Sequence, residues 1–117
     1  MNNKEKGALG EQAACAYLKK QGYKILETNY HASRLAEVDI IAKEKKTLVF
    51  IEVKLRTGME FGRGREAVTP KKQNSLRTAA LHYLACENIG DVPCRFDVIE
   101  LSLFGQTADI EHIKNAF

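Results

Sequence analysis

Asp39, Glu52 and Lys54 are the residues of this chain best suited by type and spacing to chemistry. Two runs rich in β-branched residues, 37–42 and 47–55, flank the polar group Lys43-Glu44-Lys45-Lys46, the pattern of a hairpin. If its loop holds two or four residues, paired position numbers sum to 91, so Asp39 faces Glu52 and Glu37 faces Lys54. Parity then collects Val38, Ile40, Ala42, Val49, Ile51 and Val53 on one apolar face and sets Glu37, Asp39, Glu52 and Lys54 at one end of the other. Directly opposed side chains have Cβ atoms about 5 Å apart, where like charges repel. A hard divalent cation relieves that repulsion, taking one or two carboxylates together with waters and phosphate oxygens. Such an ion polarises a phosphoryl group and lowers the pKa of its water, and a lysine stabilises the developing negative charge, so the residue types match phosphodiester hydrolysis. The competing structural reading makes Asp39 and Glu52 solvated strand-end charges, neutralised by Lys54 or Arg56 as ordinary surface ion pairs.

The elements that must position these residues are legible on either side. Leu9, Ala13, Ala16 and Tyr17, with Leu18 beside them, recur at helical spacing and Gly22 supplies a stop, giving a first helix over roughly 4–21. Residues 23–30 read as a first strand, ended by the polar stretch His31-Ala32-Ser33-Arg34. After a Gly-rich loop from Arg56 to Val68, Thr69-Pro70 offers an N-cap and a proline suited to the first helical position. The second helix is expected from 70 to about 87, with Leu76, Ala79, Ala80, Tyr83 and Leu84 as its apolar stripe. Residues 95–101 form a strand reached by a helical crossover, hence parallel to the third strand and partly internal, and 107–113 offers an edge strand. The fold expected is α/β, of αβββαβ order, with a mixed central sheet flanked by helices in one domain spanning 1–117.

Composition bounds the class. With 117 residues, 44% of them hydrophobic and 28% charged, the chain suits one globular core that folds without disulfides or a structural metal. Cys15, Cys86 and Cys94 form no zinc-ligand pattern and are expected to be buried thiols. No apolar run approaches the roughly 20 residues of a membrane helix, and no signal-type apolar stretch follows Met1, so a cytoplasmic location is expected. The net charge of +3 is unevenly spread: from Lys54 to Arg77, seven cations stand against two acids.

Asp39, twelve intervening residues and then Glu52-Val53-Lys54 resemble the signature of the PD-(D/E)xK nuclease superfamily, which has a restriction-endonuclease-like fold. Gly10-Glu11-Gln12-Ala13-Ala14, Val49 to Lys54, Glu66 to Gln73 and the ending His112 to Phe117 resemble the small bacterial YraN-like family, itself similar to archaeal Holliday-junction resolvases. The likeness spans essentially the whole chain and implies an endonuclease that uses Mg2+ or Mn2+. Carried over position by position, it implies Asp39 and Glu52 as metal ligands with the Val53 carbonyl, Lys54 as catalytic lysine, and Glu11 as the helix-one acid that completes the catalytic set. One departure is Leu35-Ala36, where that family usually has Gly-Gly before its Glu-x-Asp segment.

Glu11 lies on a helical line with Ala14, Cys15 and Leu18, which turns it toward the sheet, although exposed helical glutamates are commoner. Glu37 is expected to orient Lys54 through a cross-strand ion pair. Arg56, Arg63, Arg65, Lys71 and Lys72 are expected to neutralise DNA phosphates, against the alternative that a Gly-rich loop simply carries charge. Gln73 either contacts a phosphate or metal-bound water or faces solvent. His31, His82 and His112 are dispersed and expected to make local hydrogen bonds. The function expected is metal-dependent cleavage of structured DNA, by a homodimer with two sites for two strands. The competing reading is a non-catalytic module that binds DNA or a repair protein.

Overall fold

A computed structural model describes residues 3–57, 68–104 and 107–117. Arg63 and Arg65, expected at a DNA contact, lie outside the described residues. The elements run α1 (Asn3–Lys20), β1 (Lys24–Ser33), β2 (Ala36–Glu44), β3 (Thr47–Thr57), α2 (Pro70–Cys86), β4 (Cys94–Phe104) and β5 (Thr107–Ile113). The strands form one five-stranded sheet in the order β1-β2-β3-β4-β5. All neighbours are antiparallel except β3 and β4, which are parallel because α2 carries the chain back between them. This is the expected α/β order with a mixed sheet, consistent with a restriction-endonuclease-like core. Among the described residues, no helix is long and apolar enough to cross a membrane.

Two core clusters, one under each helix, explain the sequence of the central strands. Ile40, Ala42, Val49, Ile51, Ile99 and Leu101 pack with Ala14 and Leu18 of α1. Ile41, Leu48, Phe50 and Val98 pack with Leu76, Ala79, Ala80 and Tyr83 of α2. Strands covered on both faces must be apolar at nearly every position, as 40–42 and 48–51 are. The clean division into an apolar and a polar face is therefore corrected: Val38 and Ile41 belong to the α2 cluster and Ile40 and Ala42 to the α1 cluster, so both faces are apolar at the centre of the hairpin.

Local chemistry sets the helix ends. Thr69 Oγ1 accepts from Lys72 N at 3.1 Å, and Pro70 opens α2. At the end of α1, Gly22 adopts φ 93 while Tyr23 N donates to Leu18 O at 2.9 Å, a reversal that favours glycine. The inward line of α1 is Gly10, Ala14 and Leu18, whereas Leu9 is 47% exposed and Ala16 lies outward. Alanine suits either environment, so helical spacing alone misjudged this face by a fraction of a turn.

The hairpin turn is Lys45-Lys46, and Lys45 takes φ 55. β1 continues to Ser33 instead of stopping at Tyr30, through the pairs His31↔Glu37 and Ser33↔Ala36. An edge strand tolerates such polar residues because one side meets water. The expectation of buried thiols is also corrected: Cys15 is half-buried and Cys86 and Cys94 are exposed, the latter two at the last residue of α2 and the first of β4.

Candidate active site

Main-chain pairing of β2 with β3 runs from Glu44↔Thr47 to Ile40↔Ile51, the expected register. Carried one residue further, it sets Asp39 opposite Glu52. There the Asp39 side chain enters the ladder: Val53 N donates to Asp39 Oδ2 at 2.8 Å. Glu52 is only 4% exposed. Its Oε1 stands 3.6 Å from both Lys54 Nζ and Lys72 Nζ, while its Oε2 is buried without a hydrogen-bond partner among the described residues. These are not solvated strand-end charges, so the surface-pair reading of Glu52 fails on burial.

Electrostatics follow from this placement. Burial is the main cause raising the Glu52 carboxyl to about 7, Asp39 adds to the rise, and Lys72 and Lys54 oppose it. Asp39 is also raised, first by burial and further by Glu37, against the Val53 N–H and the two lysines. Burial depresses Lys72, but Glu52 and Glu37 outweigh it and hold the ammonium above its ordinary value. Both carboxyls are thus raised chiefly by burial, with Lys72 and Lys54 opposing the rise. Two hard carboxylates with one orphaned oxygen are a fitting donor set for a divalent ion that keeps several waters. Among the described residues, no three His, Cys, Asp or Glu converge as a larger ligand group.

The other expected residues are distributed unevenly. Glu11 approaches from α1, where Asn29 Nδ2 donates to its Oε2 at 2.9 Å; burial raises its carboxyl, the Asn29 bond opposes this, and Asp39 adds to the rise. Glu37 does not pair with Lys54: its Oε1 accepts from Lys72 Nζ at 3.3 Å and its Oε2 lies 3.2 Å from His31 Nδ1. The reason is that Glu37 lies beyond the paired part of the hairpin and its backbone N–H donates to Ser75 Oγ of α2 at 3.2 Å. Lys72 is held by the acids, and Gln73 Nε2 donates to Val68 O at 3.2 Å. Lys71 is exposed. His82 and His112 do make hydrogen bonds, but to other elements and not locally: His82 to Tyr30 of β1, and His112 to Asp97 of β4 and Tyr17 of α1.

Sequence reasoning missed two buried acids. Glu100 of β4 lies beside Lys54 in the parallel register, 4% exposed, accepting from Arg56 Nε at 3.0 Å, with Oε2 unpartnered among the described residues. Asp97, fully buried, accepts from Arg95 Nε and Nη2 and from Asn115 N, and stands 2.7 Å from His112 Nε2, which ties β4 to β5. Charges in a strand read as internal were the available signal, since a buried charge requires partners.

Fold and site together define an α/β domain with a mixed five-stranded sheet, consistent with a restriction-endonuclease-like core, in which half-buried Asp39 and buried Glu52 stand beside lysines. The profile of the uncharacterised protein family UPF0102 matches residues 10–101, and the chain belongs to that family. It is 49% identical to the UPF0102 protein of Alkaliphilus oremlandii over 117 residues, covering 98% of this chain and 99% of that one. It is 46% identical to that of Geobacter metallireducens, with 100% and 95% covered, and 45% identical to that of Clostridioides difficile, with both chains covered in full.

Proposed function

We propose that this protein is a divalent-metal-dependent DNA endonuclease, hydrolysing phosphodiester bonds in branched or otherwise structured DNA. The observation that carries the reading is the half-buried Asp39 opposite the buried Glu52, with an orphaned Glu52 oxygen and Lys54 on the same strand face. Asp39 and Glu52, with the Val53 carbonyl, would hold magnesium or manganese. When bound, that ion supplies a Lewis acid and a water of lowered pKa. Lys54, 31% exposed at its side chain, reaches outward from the pair and donates to a non-bridging phosphate oxygen as its charge develops. Glu37 steadies Lys72 beside Glu52, Glu11 adds negative charge from α1, and Arg56, Arg63, Arg65, Lys71 and Gln73 serve the flanking phosphates.

The competing reading, a DNA-binding module without turnover, draws on one observation: two lysines already neutralise Glu52. Incubating the protein with junction, flap, single-stranded and duplex DNA, with and without manganese, separates the two. The expected result is manganese-dependent cleavage that disappears in Glu52→Gln. Metal binding without cleavage of any substrate would leave the binding module as the correct reading.

A further inference from the structure

Away from the acid pair, a groove of about 450 Å³ runs between the β1–β2 turn and α2. Glu37 and Lys72 are among its lining residues, and because Lys72 also reaches Glu52 at 3.6 Å, the groove adjoins the site. Arg34, Lys71 and Asn74 line it as well. Among the described residues, neither Arg34 nor Lys71 is held in an ion pair, so two cations face the groove unspent while its one acid, Glu37, is already matched by Lys72.

Leu35 stands at the tip of the turn, 76% exposed, the most exposed large apolar side chain among the described residues. Single exposed leucines are ordinary on protein surfaces. Leu35 is set apart by how it is held. Leu35 N donates to Ser33 Oγ at 3.3 Å, Ala36 beside it is buried at 2% exposure, and Glu37 N donates to Ser75 Oγ at 3.2 Å. The irregular pairing between His31 and Ser33 bends β1 just before the turn. The apolar tip is therefore braced on both sides and displayed next to basic residues.

We infer that this groove is a binding track for the sugar-phosphate backbone of branched DNA, with Leu35 the wedge that reads the branch. Arg34 and Lys71 neutralise successive phosphates, as a basic track does on any DNA. Stacked duplex offers Leu35 no apolar surface, whereas a branch point exposes base faces against which an inserted aliphatic side chain is buried. The inference rests on the nucleic-acid part of the proposed function and is independent of turnover.

The test measures binding in EDTA, so that no cleavage intervenes. Affinities of the full chain for a four-way junction and for a duplex of matched sequence are taken by fluorescence anisotropy over a salt series, with 2-aminopurine at the branch as a second readout. The wild type should favour the junction and raise the 2-aminopurine signal. Leu35→Ala should lose about tenfold in junction affinity, the scale of burying one leucine side chain, with duplex affinity unchanged and no 2-aminopurine response. Arg34→Ala with Lys71→Ala should weaken both substrates and lower the salt slope by roughly 2. A junction-to-duplex ratio unchanged by Leu35→Ala would overturn the wedge, and an unchanged salt slope in the double variant would overturn the track. Cleavage that persists despite either result leaves the endonuclease reading standing, while a Leu35-dependent ratio without cleavage leaves the groove standing alone.

Discussion

Burial and the nearby Asp39 both disfavour the Glu52 anion, so its carboxyl titrates at about 7 in the folded chain against an ordinary 4.5. The folded protein then binds this proton more tightly than the unfolded one. The resulting contribution to stability is complete below about pH 4.5 and is lost as pH rises through 7. Glu52→Gln removes the dependence and should stabilise the metal-free protein at pH 8 by on the order of 1–3 kcal/mol, with little change at pH 5. Thermal melts at the two pH values check this; a variant melting lower than wild type at pH 8 would show that the anion is well accommodated. Manganese should raise the wild-type melting temperature at pH 8 and leave that of Glu52→Gln unmoved, since an ion that binds only the folded state stabilises it. Lys54→Ala should separate the roles of the site. It leaves both carboxylates in place and so should retain the manganese-induced shift while losing turnover by about a hundredfold or more, as expected when a donor to transition-state charge is deleted.

Between elements, the demanding contacts are those that join chain segments distant in sequence. Asp97 of β4 is stitched to β5 through His112 and to the following turn through Asn115 N, and His112 Nδ1 reaches Tyr17 of α1 at 3.1 Å. Burial alone would raise the Asp97 carboxyl, but His112, Arg95 and the Asn115 amide outweigh it and hold it below its ordinary value. This stabilisation is present above the ordinary value of 3.8 and lost as pH falls through the lowered folded value. Asp97→Ala strands Arg95 and His112 and should cost about 3–5 kcal/mol, the usual penalty for breaking a buried charged pair from one side. Urea unfolding checks it, and a loss below about 1 kcal/mol would mean the network is incidental. Thr69→Ala is a gentler probe: removal of the cap from α2 should cost about 1 kcal/mol and, because Lys72 N is the capped amide, loosen the turn that brings Lys72 to Glu52. The hairpin and α2 were readable beforehand, since the two β-branched runs around a polar turn, the Thr-Pro start and the apolar stripe are all local signals. The face of α1 was not, because Gly10 and Ala14 become an inward line only when β3 and β4 lie against them.

For the molecule as a whole, the proposed endonuclease would use one carboxylate pair for one scissile bond, so cutting both strands of a branched substrate would call for two copies related by symmetry. The expected outcome is a dimer on junction DNA by analytical sedimentation, with two protein chains per junction; one chain per junction at saturation would set this aside. What the amino-acid order determined by itself was local: the sequence of elements, the hairpin register that opposes Asp39 to Glu52, the parallel return to β4, and the family to which the chain belongs. Only the tertiary structure decided that Glu37 turns to Ser75 and Lys72 instead of Lys54, that Lys72 comes within 3.6 Å of Glu52, and that Glu100 and Asp97 are buried with partners. Periodicity assigns a side chain to a face, but the burial of a charge and the identity of its partner depend on which distant segment packs there, and here that is set by α2 closing on β2 and α1 closing on β3.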